Sequence, residues 1–126
     1  MKIFQIMILM ILIGLPAAYA DATKNYYENG KIQGEFTDDM AKSYYQNGQV
    51  STITPRKDGE PHGKSQSFYE NGVLMSEIEY RDGEKIGISK EYDKTGKLKK
   101  EQDYTTGAWK TYDENGKVTG QGVSRF

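Results

Sequence analysis

From Tyr26 to Val118 the chain repeats one order of apolar and polar positions: an aromatic, three residues, a glycine, one residue, an aliphatic. It occurs at Tyr26/Gly30/Ile32, Tyr44/Gly48/Val50, Phe68/Gly72/Leu74, Tyr92/Gly96/Leu98 and Tyr112/Gly116/Val118. Four of these glycines follow Asn and one follows Thr95, between strand-like runs, which is a hairpin signal. A two-residue turn at Asn-Gly would set Tyr69 against Leu74. The pair that recurs is instead the aromatic at Gly−4 and the aliphatic at Gly+2. Those positions oppose each other across a three-residue loop, a type I turn closed by a left-handed glycine. Only glycine adopts that conformation without a steric penalty. Gly30, Gly48, Gly72, Gly96 and Gly116 are therefore predicted to be structural turn glycines, with Gly34, outside the pattern, easier to replace.

A second turn lies between the hairpins. It reads K-D-G-E-P-H-G at 57–63 and R-D-G-E-K-I-G at 81–87, and Y-T-T-G at 104–107 is a shortened form. Units then start near residues 26, 44, 68, 92 and 112. Repeats of this period indicate stacked supersecondary units rather than one irregular globule. No helical period appears beyond the N-terminal run. The expectation is an all-β fold, a single-layer meander of repeated β-hairpins. Simple alternation puts Phe68, Leu74, Ser76, Ile78 and Tyr80 on one packed face, and Tyr69, Val73, Met75, Glu77 and Glu79 on the other.

The N-terminus changes the domain reading. Lys2, the apolar run from Ile3 to Leu15 and Ala18-Tyr19-Ala20 have the layout of a secretory signal peptide. Residues 1–20 are expected to be removed after Ala20, leaving 21–126 as the repeat domain in the periplasm or the extracellular medium. An uncleaved anchor is the alternative. The chain has no Cys, so an exported domain of this size must hold together without disulfides. Charges are interspersed, 17 Lys and Arg against 18 Asp and Glu, so no basic block marks a nucleic-acid surface. Aliphatics are few, and the 10 tyrosines and Trp109 supply much of the apolar area.

Candidate chemistry is sparse. His62 is the only histidine, which excludes Cys/His pairs and multi-His zinc sites; in E-P-H-G it reads as an exposed turn residue. Placing Gly96 or Gly116 at the sixth position of a calcium loop puts Gln102 or Gly122 at the twelfth, where a bidentate glutamate is needed. No metal, cofactor or catalytic residue is expected. One feature departs from the repeat: Gly−3 is Tyr27, Tyr45 and Tyr69 in the first three units, then Asp93 and Asp113. This tyrosine stripe is either cross-strand packing or a ligand surface, since repeat proteins bind along the face their units align. Sugar stacking is a third reading, although such repeats are usually richer in Trp.

Y-Y-x-N-G-x-[IV], F-Y-E-N-G-V-L and the following Y-R-D-G-E-K-I-G resemble the MORN-repeat proteins, in particular the bacterial variant of that repeat. The resemblance covers nearly all of Tyr26 to Val118. It departs at the short connection after the first unit, at Pro55 and Pro61, and at Thr95. Proteins of this variant are often labelled antitoxin or immunity-like, and MORN repeats elsewhere are scaffolds that contact protein or lipid. The resemblance thus implies an exported, non-catalytic module for a protein partner, or alternatively an envelope module touching glycan or lipid. It carries no catalytic motif.

Overall fold

A computed structural model describes residues 22–124, and the signal-peptide reading lies outside them. The strands are β1 (Thr23–Tyr26), β2 (Ile32–Phe36), β3 (Met40–Tyr44), β4 (Val50–Lys57), β5 (Glu60–Pro61), β6 (Gly63–Phe68), β7 (Leu74–Arg81), β8 (Glu84–Tyr92), β9 (Leu98–Asp103), β10 (Ala108–Tyr112) and β11 (Val118–Val123). All except β5 follow one another in sequence order across one antiparallel sheet, and the two-residue β5 pairs with β4. The described residues contain no helix. This is the expected single-layer meander.

The hairpin register is also the expected one. Tyr26 opposes Ile32, Tyr44 Val50, Phe68 Leu74, Tyr92 Leu98 and Tyr112 Val118. In the third unit Tyr69 N–H donates to Val73 O and Gly72 N–H to Tyr69 O, which closes the three-residue loop. Gly72 sits at φ 81°, and the other four turn glycines lie between 79° and 88°. The D-G pairs are tighter: Asp58 and Gly59, and Asp82 and Gly83, are both left-handed, the type I′ arrangement of two-residue turns.

The faces differ from the expectation. Ser67 opposes Ser76 while its neighbour Phe68 opposes Leu74, so Met75 is an extra residue on its strand. The same extra residue recurs at Gln33, Ser51, Lys99 and Thr119. A bulge of this kind reverses the parity of everything beyond it. Ser76, Ile78 and Tyr80 therefore pair with Ser67, Ser65 and Gly63, away from Phe68, while Glu77 and Glu79 join Phe68's face.

Nor is either face packed. No hydrophobic side chain among the described residues is buried; the most buried side chains are those of Ser65 and Ser89. A single layer has nothing to cover it, so its strands are held by ladder hydrogen bonds and same-face neighbours. Gly34, by contrast, is buried, and a Cβ there would lie 2.6 Å from Asn25 Oδ1 and 3.0 Å from the Phe36 ring. The repeat pattern hid that packing role.

Candidate functional site

The tyrosine stripe runs along one turn edge of the sheet. Tyr27 Oη donates to Tyr44 O at 2.6 Å, Tyr45 Oη to Phe68 O at 2.7 Å, and Tyr69 Oη to Tyr92 O at 2.8 Å. Each tyrosine thus reaches from its own hairpin to the aromatic of the next. The three rings are half-buried, and Lys94 Nζ stands 6.0 Å from the Tyr69 ring centre. Being one residue beyond the hairpin aromatic, each lies on the face opposite to it.

The loops these residues flank are capped in two ways. In the first three units the asparagine before the glycine accepts the N–H of Lys31, Gln49 or Val73. In the last two, the aspartate at Gly−3 takes over: Asp93 accepts from Lys97 N–H at 3.1 Å and Asp113 from Lys117 N–H at 2.9 Å. Asp93 also accepts from Thr95 N–H and Oγ1. The Thr95 hydroxyl, followed by backbone N–H groups, holds the Asp93 carboxyl below the usual carboxylate range.

Reversed parity creates a feature that alternation could not show. One residue from each of the ten ordered strands forms a continuous row: Lys24, Glu35, Lys42, Ile53, Gln66, Glu77, Lys90, Glu101, Lys110 and Gln121. Opposite charges adjoin along most of it, as Lys24 Nζ and Glu35 Oε1 do at 3.1 Å. This ladder shares a face with the aromatic–aliphatic row. Tyr44 Oη donates to Glu35 at 2.7 Å, Tyr92 Oη to Glu77 at 3.3 Å and Tyr112 Oη to Glu101 at 2.6 Å. Where the ladder holds Ile53 instead of a carboxylate, the next unit's aromatic is Phe68, with no hydroxyl to satisfy.

These bonds set the electrostatics. The Tyr44 hydroxyl, then Lys24, lowers the Glu35 carboxyl, and the same carboxylate raises the Tyr44 phenol. Tyr92 is raised by desolvation and then by Glu77, and Tyr112 by its bond to Glu101. The sequence could have revealed the row through its offsets: Gly−6 is Lys in four units and Gln66 in one, while Gly+5 is Glu in three.

The opposite face is lined by small hydroxyls. Ser43, Thr52, Ser67 and Ser76 adjoin in one row, and Thr54 Oγ1 meets Ser65 Oγ at 2.8 Å in the next. A shallow open groove of about 380 Å³ runs over Thr52, Thr54, Ser65, Ser67 and Ser76. His62 sits 3.2 Å from Asp82 Oδ1, bridging one D-G turn to the next unit. Among the described residues no group of three His, Asp or Glu side chains could hold a metal ion.

A family model described as MORN repeat variant matches residues 22–37, 40–58, 61–82, 85–106 and 105–123. No curated protein matches the chain.

Proposed function

The chain belongs to the MORN repeat variant family, and from that premise we propose that it is an exported, non-catalytic module binding a protein partner, immunity- or antitoxin-like in role. Repeats of this kind serve as binding modules, and their surface is what adjacent units line up. The observation that carries the reading is the fixed tyrosine stripe. Three rings, half-exposed, are held at unit spacing because each hydroxyl is bonded to the following hairpin. A ring already immobilised loses little entropy when a partner covers it, and tyrosine is enriched at interfaces. Tyr27, Tyr45 and Tyr69 are the proposed contact residues.

Affinity capture with the tagged protein, followed by reconstitution from purified components, tests this. A stoichiometric protein complex that weakens by several kcal/mol when all three tyrosines become Ser, with the β-sheet circular dichroism preserved, supports it. Retention on purified cell wall or liposomes, with no protein bound, would replace it by the envelope reading. Loss of the β signal in the triple variant would assign the tyrosines to the sheet itself.

A further inference from the structure

The aromatic–ladder face is large and uncovered, with an apolar row along its hairpin-loop edge. All four exposed large hydrophobics among the described residues, Tyr26, Ile88, Val118 and Val123, lie on it; Tyr26 and Val118 belong to the aromatic row, and Ile88 and Val123 are in register with the ladder beyond it. Open sheets of about ten strands usually curl or pack against a second layer. The charges beside this apolar row indicate which layer fits.

We propose that two copies of this chain stack face to face through this surface, related by a twofold axis parallel to the strands between β6 and β7. Such an axis reverses strand order and keeps position along the strands. It lays aromatic row on aromatic row and ladder on reversed ladder. Glu35 of one copy then meets Lys110 of the other, and Lys42 meets Glu101. Lys24 meets Gln121, Ile53 meets Lys90, and Gln66 meets Glu77, so no like charges face each other.

Other registers fail. Moving the axis by half a strand spacing, onto β6, sets Lys24 on Lys110, Glu35 on Glu101 and Lys42 on Lys90. Moving it onto β7 sets Lys42 on Lys110 and Glu77 on itself. A twofold across the strands puts every charge on its own copy. The ladder thus selects one arrangement by penalising its neighbours, which is how charges at an interface confer specificity. The aromatic and ladder rows together span roughly 45 Å by 15 Å, about 700 Å² per copy, near the size of a standard stable interface. The tyrosine stripe, on the other face, stays open.

Analytical ultracentrifugation and a charge swap test the proposal. The purified protein should sediment as a dimer whose dissociation constant rises with salt. Lys42→Glu alone and Glu101→Lys alone should each weaken self-association by about tenfold or more, because both symmetry-related contacts become like-charged. A mixture of the two variants should form a heterodimer, since both contacts are then opposite. Zero-length cross-linking of isotopically mixed wild-type protein gives a second readout that no unfolded variant can spoil. Lys42 and Glu101 lie five strands apart, about 24 Å within one sheet, so their cross-link can arise only between copies. A protein monomeric up to millimolar concentration overturns the proposal. So does a dimer indifferent to both substitutions, or one lacking that cross-link.

Discussion

In the first three units the residue after the hairpin aromatic is a tyrosine that reaches out of its own unit. In the last two it is an aspartate that turns back into its own loop. The exchange is coupled to a second position. With tyrosine at Gly−3, asparagine at Gly−1 must cap the N–H beyond the glycine. With aspartate at Gly−3 that task is done, and Gly−1 is free to vary, being Thr95 in the fourth unit and Asn115 in the fifth. The pattern therefore teaches that Gly−3 serves two structural ends, stapling between units or capping within one. Any binding role of the stripe is added to the first.

The two halves should break differently. The largest effect is expected at Gly107, where the turn before the last hairpin forms a C-terminal joint with the end of β11. Gly107 N–H donates to Asp103 O, its carbonyl accepts from Ser124 N–H, and it sits at φ 77°. A Cβ there would press into the Ser124 carbonyl oxygen. Gly107→Ala should cost about 3 kcal/mol or more, because left-handed strain and a backbone collision combine. Gly72→Val meets open space, so only strain applies, about 1–3 kcal/mol. Chemical denaturation compares them; equal losses would show that the C-terminal joint is not special.

Next in size is the staple. Tyr45→Phe keeps the ring and removes the hydroxyl from Phe68 O, which should cost about 1 kcal/mol. No penalty in thermal unfolding would leave the stripe without its structural half.

Acid should separate the halves more gently. The folded Asp93 carboxyl titrates below its ordinary value. Its contribution is full above the ordinary carboxylate range and disappears as pH falls through the lowered value. The protection factor of the Lys97 amide should then fall in acid, while that of Gln49 N–H, held by the uncharged Asn47, is kept. Parallel loss at both amides would argue for global unfolding instead.

Much of the fold was legible because its signals are local. Hairpin loops, their register and the left-handed glycines all follow from the seven residues around Gly72 and its counterparts. The faces were not legible, because one extra residue per unit, such as Met75, shifts pairing without altering the apolar order. That shift concealed the charge ladder. It also made Glu77 look like an outward residue of the tyrosine face, although it accepts from Tyr92 on the other one. The stripe was visible, but not its bonds: a hydroxyl's partner on another hairpin leaves no mark in the sequence. Gly34 was misjudged for a related reason, since its neighbour Asn25 is set by strand pairing and not by the repeat.

The smallest effect is the most discriminating, because it rebuilds one half in the image of the other. Asp93→Tyr places a tyrosine where units one to three have theirs, with Tyr112 O as the equivalent acceptor. It also removes the carboxylate that caps Thr95 N–H and Lys97 N–H. Gain and loss oppose each other, so the single variant should melt close to the parent. Adding Thr95→Asn restores the asparagine cap found at Asn71, whose Oδ1 accepts from Val73 N–H at 3.1 Å. If Gly−3 and Gly−1 are exchanged as a pair, the double variant should melt a few degrees above the single one, although Thr95→Asn alone, with Asp93 still in place, should gain nothing. Calorimetry of the four proteins closes the cycle. Additive effects would mean that the two positions vary independently, and that the asymmetry between the halves must come from what the stripe binds.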